Sequence, residues 1–304
     1  MIAVIGSNMV DLISYVDRMP LPGETLEAPA FSLGCGGKGA NQAVAAAKLG
    51  AEVMMLTKVG DDIFGDNTIK NLQAYGIRTD FVEKVAGTSS GVAPIFVDKS
   101  SQNSILIIKG ANEYLLPADI DKAADSLKKC SLIILQLEVC LETVYAAIDF
   151  GKKYHVPVLL NPAPATENLD IEKVAACEFF VPNESELMAL TKLPVSTTEE
   201  VRLAADVLLK KGLKNVIVTL GKRGVLWLTG DKEEFVAAHK VAAIDTTGAG
   251  DAFIGCFAAT YTETGDVLAS LKRANAFSAL SVQKKGTQIS YPSAEELASF
   301  LAKA

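Results

Sequence analysis

Short apolar runs recur along the chain, separated by longer stretches in which apolar positions return every third or fourth residue. The short runs predict strands over 2–6, 53–58, 132–136, 158–161, 179–182, 216–219 and 225–229. The longer stretches predict helices over 39–49, 65–75, 118–129, 142–154 and 199–211. A fully apolar strand must be covered on both faces, and an amphipathic helix after each strand supplies the cover, so the rhythm predicts an α/β fold. The expected architecture is a doubly wound, mostly parallel sheet with helices on both faces, in a single domain over residues 1–304. Met54, Met55, Phe253 and Phe257 fall on apolar positions of these elements and are expected in the core.

Two stretches break the rhythm. Residues 10–33 are rich in Pro and Gly, and in 91–108 the runs VAPIFVD and NSILIIKG read as the arms of a hairpin around 99–102. Their apolar residues have no helix to cover them. A small accessory β-sheet is expected there, a lid that closes over a site or pairs with a second copy of the chain.

Composition narrows the function classes. With 49% hydrophobic residues among 304, the chain can bury a large core, which excludes a disordered protein. The 36 acidic residues outnumber 29 basic ones, for a net charge of -7, the wrong sign for a nucleic-acid backbone or an anionic membrane surface. No uncharged apolar run approaches the ~18 to 20 residues needed to span a bilayer, and no signal peptide or membrane segment is expected. The five cysteines (Cys35, Cys130, Cys140, Cys177 and Cys256) form no CxxC pair, which fits reduced thiols and a cytoplasmic location. With only His155 and His239, both expected to be structural or at the surface, chemistry must rest on carboxylates and backbone dipoles.

Four motifs can carry such chemistry. In CGGKGANQ, residues 35–42, the glycines let a ligand approach bare backbone at a helix start, while Lys38 and Asn41 suit a polar ligand such as a sugar. A glycine-capped turn is the competing reading. In AIDTTGAGDAFI, residues 243–254, the N–H groups of Gly248, Ala249 and Gly250 form an anion hole at a helix start, and Asp251 sits beside it as a general base. Asp251 is also an ordinary helix-start residue. In PNESE, Asn183 and Glu186 read either as a capping box or as Mg²⁺ ligands acting through water. VTLGKRG, residues 218–224, offers backbone to a nucleotide phosphate or simply turns a hairpin into VLWLT.

GSNMVD, GGKGANQA, NPAP, PNESE, VTLGKRG and DTTGAGDAF, in this order over essentially the whole chain, resemble the ribokinase family of carbohydrate kinases, nearest its ribokinase and deoxyribokinase branches. The resemblance implies transfer of the γ-phosphoryl of ATP to the 5-hydroxyl of 2-deoxyribose or ribose, with Asp251 as base beside Gly248, Ala249 and Gly250. It implies a sugar site at Met9, Asp11, Gly37, Lys38, Gly39, Ala40, Asn41 and Glu138. It places Asn183, Glu186, Thr219, Leu220, Gly221, Lys222, Arg223, Gly224, Gly250 and Asn275 near ATP and Mg²⁺. A K⁺ site is implied at Asp245, Thr247, Ser281, Lys284, Gly286 and Ser290, and a homodimer through the lid. One position departs from the ribokinase pattern GSxNxD: Met9 stands where that pattern has Asn. A thioether facing C2 of the sugar leaves no polar group unpaired when the 2-hydroxyl is missing, which favours 2-deoxyribose.

Other readings remain at this point. The chain can phosphorylate another sugar or a nucleoside, or be a non-catalytic sugar-binding regulator on the same fold. The intact Asp251 and its glycines argue against a regulator. An NAD-dependent oxidoreductase would need GxGxxG after the first strand, where GSNMVD stands.

Overall fold

In the computed structural model, which describes residues 1–99 and 103–303, two sheets carry the architecture. The strands in chain order are β1 (Ile2–Ile5), β2 (Met9–Tyr15), β3 (Ala30–Gly36), β4 (Val53–Gly60), β5 (Arg78–Val85), β6 (Val92–Val97), β7 (Asn103–Ile105), β8 (Leu132–Leu135), β9 (Val158–Leu160), β10 (Phe179–Phe180), β11 (Val216–Thr219), β12 (Gly224–Leu228) and β13 (Glu233–Ala237). The helices are α1 (Lys38–Ala47), α2 (Ile63–Ala74), α3 (Pro117–Lys122), α4 (Ala124–Leu127), α5 (Leu141–Tyr154), α6 (Ile171–Val174), α7 (Glu184–Thr191), α8 (Thr198–Lys210), α9 (Ala249–Thr264), α10 (Val267–Ser281) and α11 (Ala294–Leu301).

The large sheet has nine strands in the order β13-β12-β11-β10-β9-β8-β1-β4-β5, all parallel except for the antiparallel pairs β11–β12 and β12–β13. Alternation along each strand sends side chains to two separate cores. Ile2 and Val4 pack with α1, α9 and α10 on one face, while Ala3 and Ile5 pack with α5 and α8 on the other. All four expected core residues are buried: Met54, Met55, Phe253 and Phe257.

All seven predicted strands form. The sequence reading missed β5 and β13, the two edges of the sheet. An edge strand has one neighbour and admits charged residues, so RTDFVEKV and EEFVA carry too few apolar positions to announce themselves. The helix expected over 118–129 is split at Ala123, which ends α3 and caps α4. Just before the split, Asp119 is drawn into a buried ion pair with Lys58 at 2.8 Å.

The small sheet runs β3-β2-β6-β7, with β2 parallel to β6 and antiparallel to β3. It starts one residue before the expected stretch, at Met9, and its first hairpin ends three residues later, at Gly36. The second pair, β6 with β7, is the predicted hairpin, although residues 100–102 of its turn lie outside the described residues. Phe31, Leu33 and the run Ile105, Leu106, Ile107 and Ile108 are all exposed on it. No described helix is long and apolar enough to cross a membrane. His155 caps α5 in a left-handed conformation and His239 stacks edge-on against Phe300, so both are structural.

Candidate active site

The carboxyl ends of the parallel strands converge where the strand order reverses about β1, the place at which open α/β sheets bind ligands. Ser7, just past β1, donates its hydroxyl to Glu138, just past β8. The same Glu138 oxygen accepts the Lys38 N–H at 3.0 Å, and the Gly39 N–H donates to Ser7 Oγ at 3.3 Å. This close seating of α1 requires glycine. Gly37 has φ +86°, and a Cβ there would stand 2.6 Å from the Met9 nitrogen. Ala40 is buried behind it, with its N–H on the Ser7 carbonyl at 2.9 Å.

Across the cleft, Gly248 enters α9 in a left-handed conformation and Asp251 follows in the first turn, buried. Each carboxylate oxygen accepts one side-chain amide: Asn41 Nδ2 reaches Oδ2 at 3.0 Å, and Gln42 Nε2 reaches Oδ1 at 2.9 Å. Both amides are held from behind. Gln288 donates to Asn41 Oδ1 at 3.0 Å and Gln136 donates to Gln42 Oε1 at 2.6 Å. Burial pushes the Asp251 carboxyl up, opposed by the Lys38 charge and the two amides. Burial opposes the charge on Lys38, but Asp251, Glu138 and Glu186 outweigh it and raise its pKa. Asp251 is thus a shielded carboxylate with a fixed cation nearby, an arrangement suited to a general base.

A cavity of about 160 Å³ joins these groups, its wall including Lys38, Asn161, Asn183, Glu186, Thr219, Gly248, Ala249, Gly250 and Asp251. Of the sugar-side candidates only Lys38 lines it, facing the nucleotide-side candidates around one carboxylate, while Met9, Asp11, Asn41 and Glu138 stand off its wall. On β2, Met9 and Asp11 are two apart and share a face. Met9 is 2% exposed, with its sulfur 3.9 Å from Asn112 Nδ2. Burial, reinforced by the negative charge of Glu138, pushes the Asp11 carboxyl up to about 6.

On the nucleotide side, the capping box is real: the Glu186 N–H donates to Asn183 Oδ1 at 2.8 Å, and the Asn183 N–H donates to Glu186 Oε2 at 2.8 Å. It also turns Glu186, buried and with its pKa raised by that burial, onto the cavity wall. The turn after β11 is the predicted hairpin, and beyond Thr219 it does not line the cavity. Leu220 is buried with its N–H on the Gly224 carbonyl at 2.8 Å, Gly221 and Lys222 are exposed, and Arg223 pairs with Glu184 at 2.5 Å. Asn275 likewise stands off the cavity and donates to the Ala237 carbonyl at 2.7 Å. The Ala249 N–H donates to the Thr246 carbonyl at 3.2 Å, which takes it out of the expected anion hole.

The two loops expected around K⁺ do meet. Asp245 accepts the Thr247 N–H and the Gly286 N–H, each at 2.9 Å, and the Asp245 N–H reaches the Val282 carbonyl at 3.1 Å. These bonds outweigh burial and hold the Asp245 carboxyl below the ordinary aspartate value. Ser281 and Ser290 turn their hydroxyls to the Ser278 and Thr287 carbonyls, and Lys284 pairs with Glu296 at 2.9 Å. Sequence reasoning missed Ser7, Gln42, Gln136, Asn161 and Gln288 as parts of the site. The available signal was an amide-bearing residue on an otherwise apolar helix face or strand end, as Gln42 and Gln136 are.

The profile described as pfkB family carbohydrate kinase matches residues 1–294. The chain belongs to this family of carbohydrate kinases. The kinase is 65% identical over 300 residues to the deoxyribokinase of Salmonella typhi, covering 99% of this chain and 98% of that one. It is 39% identical over 300 residues to the ribokinase of Mus musculus, covering 97% and 93% respectively. The ribokinase of Arabidopsis thaliana, solved with ribose and ATP, superposes with a TM-score of 0.94 at 31% identity, covering 99% of this chain and 98% of that one. The ribokinase of Thermotoga maritima gives 0.90 at 36% identity, covering 99% of each chain.

Proposed function

We propose that this kinase transfers the γ-phosphoryl group of ATP to the 5-hydroxyl of a pentose and prefers 2-deoxyribose to ribose. The observation that carries the reaction is Asp251, buried at the start of α9 on the wall of the cavity, with one amide on each oxygen. A carboxylate has about four lone-pair positions, so two remain for an acceptor hydroxyl. Asp251 takes the proton of that hydroxyl as phosphorus is attacked. The N–H groups of Gly250 and Asp251 at the positive end of α9, together with Lys38, stabilise charge on the transferring group. Asp11 and Glu138 accept hydroxyls of the sugar ring.

The residues fit the ions that the reaction asks for. Asn183 and Glu186 offer oxygen atoms at the cavity edge, the donors Mg²⁺ prefers, and would hold it through water. Asp245, Thr247, Ser281, Lys284, Gly286 and Ser290 would hold K⁺, chiefly with backbone carbonyls, and Asp245 ties the two loops together. When bound, the ions would supply charge that neutralises the transferring group.

Met9 supports the preference for 2-deoxyribose, as does the 65% identity to a deoxyribokinase against 39% to a ribokinase. The small sheet is proposed to act as the lid and, through exposed Phe31, Leu33 and 105–108, as the contact of a homodimer. Light scattering at micromolar concentration should give twice the chain mass, and a monomer removes the dimer. The reaction is tested by ADP release across a panel of pentoses, hexoses and nucleosides. Asp251→Asn should lower turnover by roughly 10²- to 10⁴-fold and leave sugar binding in place. Near-normal turnover would refute the assignment.

A further inference from the structure

Asn41, which donates Nδ2 to Asp251 Oδ2 at 3.0 Å, is the inner link of a longer chain of amides. Gln288 Nε2 donates to Asn41 Oδ1 at 3.0 Å, and Asn71 Nδ2, one step further out on α2, donates to Gln288 Oε1 at 2.8 Å. Gln288 is buried and Asn71 half-buried, and neither lines the cavity around Asp251. The direction of each bond is dictated from the inside. An ionised carboxylate only accepts, so Asn41 must turn its NH₂ to Asp251 and its oxygen to Gln288. Gln288 must then turn its NH₂ inward and its oxygen outward, and the chain can close only on a donor. Asn71 is that donor.

The other oxygen of Asp251 shows what the closure adds. Gln136 donates to Gln42 at 2.6 Å and Gln42 to Asp251 at 2.9 Å, a chain of the same direction, but Gln136 Oε1 at its outer end is buried without a partner. Of the two chains, the one through Gln288 is closed by a third amide.

We propose that Asn71, outside the cavity, is a positioning residue for the base: it fixes the direction of the amide chain and so keeps an N–H group, not an oxygen, against Asp251. The proposal rests on Asp251 being the base. Asn71→Asp isolates the effect, because it keeps the size of the side chain and replaces the donor by a second acceptor. Two amides between two ionised carboxylates cannot satisfy all three junctions, and one junction must set oxygen against oxygen or NH₂ against NH₂. A proton on either carboxylate resolves the conflict, since a carboxylic acid can donate. Lys48 lies over the Tyr75 ring, one turn along α2 from position 71, and favours the charged form there. Asp251 is buried, so the proton goes to Asp251. The titratable groups that face Asp251 are the same in both proteins: Lys38 of α1, Glu138 after β8, Glu186 of α7 and the Tyr291 hydroxyl.

The test is the acidic limb of kcat at saturating 2-deoxyribose, which reads the base in the loaded site, with Tm recorded for each variant. Asn71→Asp should move the limb up by about one pH unit or more, with turnover recovered at higher pH. Asn71→Leu removes the donor without adding an acceptor, so it should lower Tm and leave the limb in place. Gln288→Met cuts the chain at similar side-chain length, and in that background Asn71→Asp should no longer move the limb. An unmoved limb in Asn71→Asp, an equal shift in Asn71→Leu, or a shift that persists with Gln288→Met would each overturn the proposal, the last by assigning the effect to charge acting through space. Asp251→Asn keeps the two readings apart. Near-normal turnover in that variant refutes the base itself, whereas an inactive Asp251→Asn beside an unmoved limb in Asn71→Asp refutes only the role of Asn71.

Discussion

Gln42 donates its side-chain amide to Asp251 across 209 positions of sequence, at 2.9 Å. The bond stabilises the ionised carboxylate against its burial, in the same sense as the Lys38 charge. Gln42→Leu should therefore move the acidic limb of the kcat/KM profile to higher pH, because more base is protonated at a given pH. It should also leave the Gln136 amide without its acceptor, at a cost of about 1 to 3 kcal/mol in stability. A limb that stays in place would show that this bond does not tune the base.

Asp11 gives a second pH dependence. Its carboxyl ordinarily titrates at 3.8 and is raised to about 6 in the fold. Between those values the folded protein holds a proton that the unfolded chain has released, so Asp11's contribution to stability is present below the lower value and is lost as pH rises to about 6. Sugar affinity should run the other way, improving as Asp11 ionises and can accept ring hydroxyls. Asp11→Asn should remove both slopes, read from Tm and from KM for the sugar between pH 4 and about 7.

Met9 should set the choice between the two pentoses. An apolar position rejects an added hydroxyl only modestly, by up to ~10²-fold, whereas a buried amide left unpaired penalises its absence more. The unaltered kinase should favour 2-deoxyribose moderately and still turn over ribose. Met9→Asn should reverse the order, with a penalty on 2-deoxyribose of roughly 1 to 3 kcal/mol. If the ratio of kcat/KM values for the two sugars does not change, Met9 does not face C2.

Asp245 ties two loops through the Thr247 and Gly286 amides. Rates should be higher with K⁺ than with tetramethylammonium at matched ionic strength. Asp245→Ala should abolish that difference by releasing the loops. Equal rates with the two cations in the unaltered protein would remove the K⁺ site.

What was legible in the sequence was local. Apolar runs such as LIIL at β8 name themselves as buried strands, because a strand covered on both faces is made mostly of apolar residues. The entrance to α9 was equally plain, since Gly248, Gly250 and Asp251 stand within one turn. The same holds for the Asn183–Glu186 box, whose partners are three residues apart. Edge strands β5 and β13 were hidden because one exposed side tolerates the charges of RTDFVEKV and EEFVA.

Only the tertiary structure decided which of these pieces share a site. Chain-local pattern carries no information on contacts made through strand order. The order β8-β1-β4 is what sets Ser7 against Glu138 and Gln42 between Gln136 and Asp251. It also separated true neighbours of the cavity from residues of the same motif: Thr219 lines it, while Leu220 to Gly224 turn the chain back into β12. Sequence chose the candidate groups because each depends on its own turn of backbone; the fold chose their partners because burial and hydrogen bonding act across space.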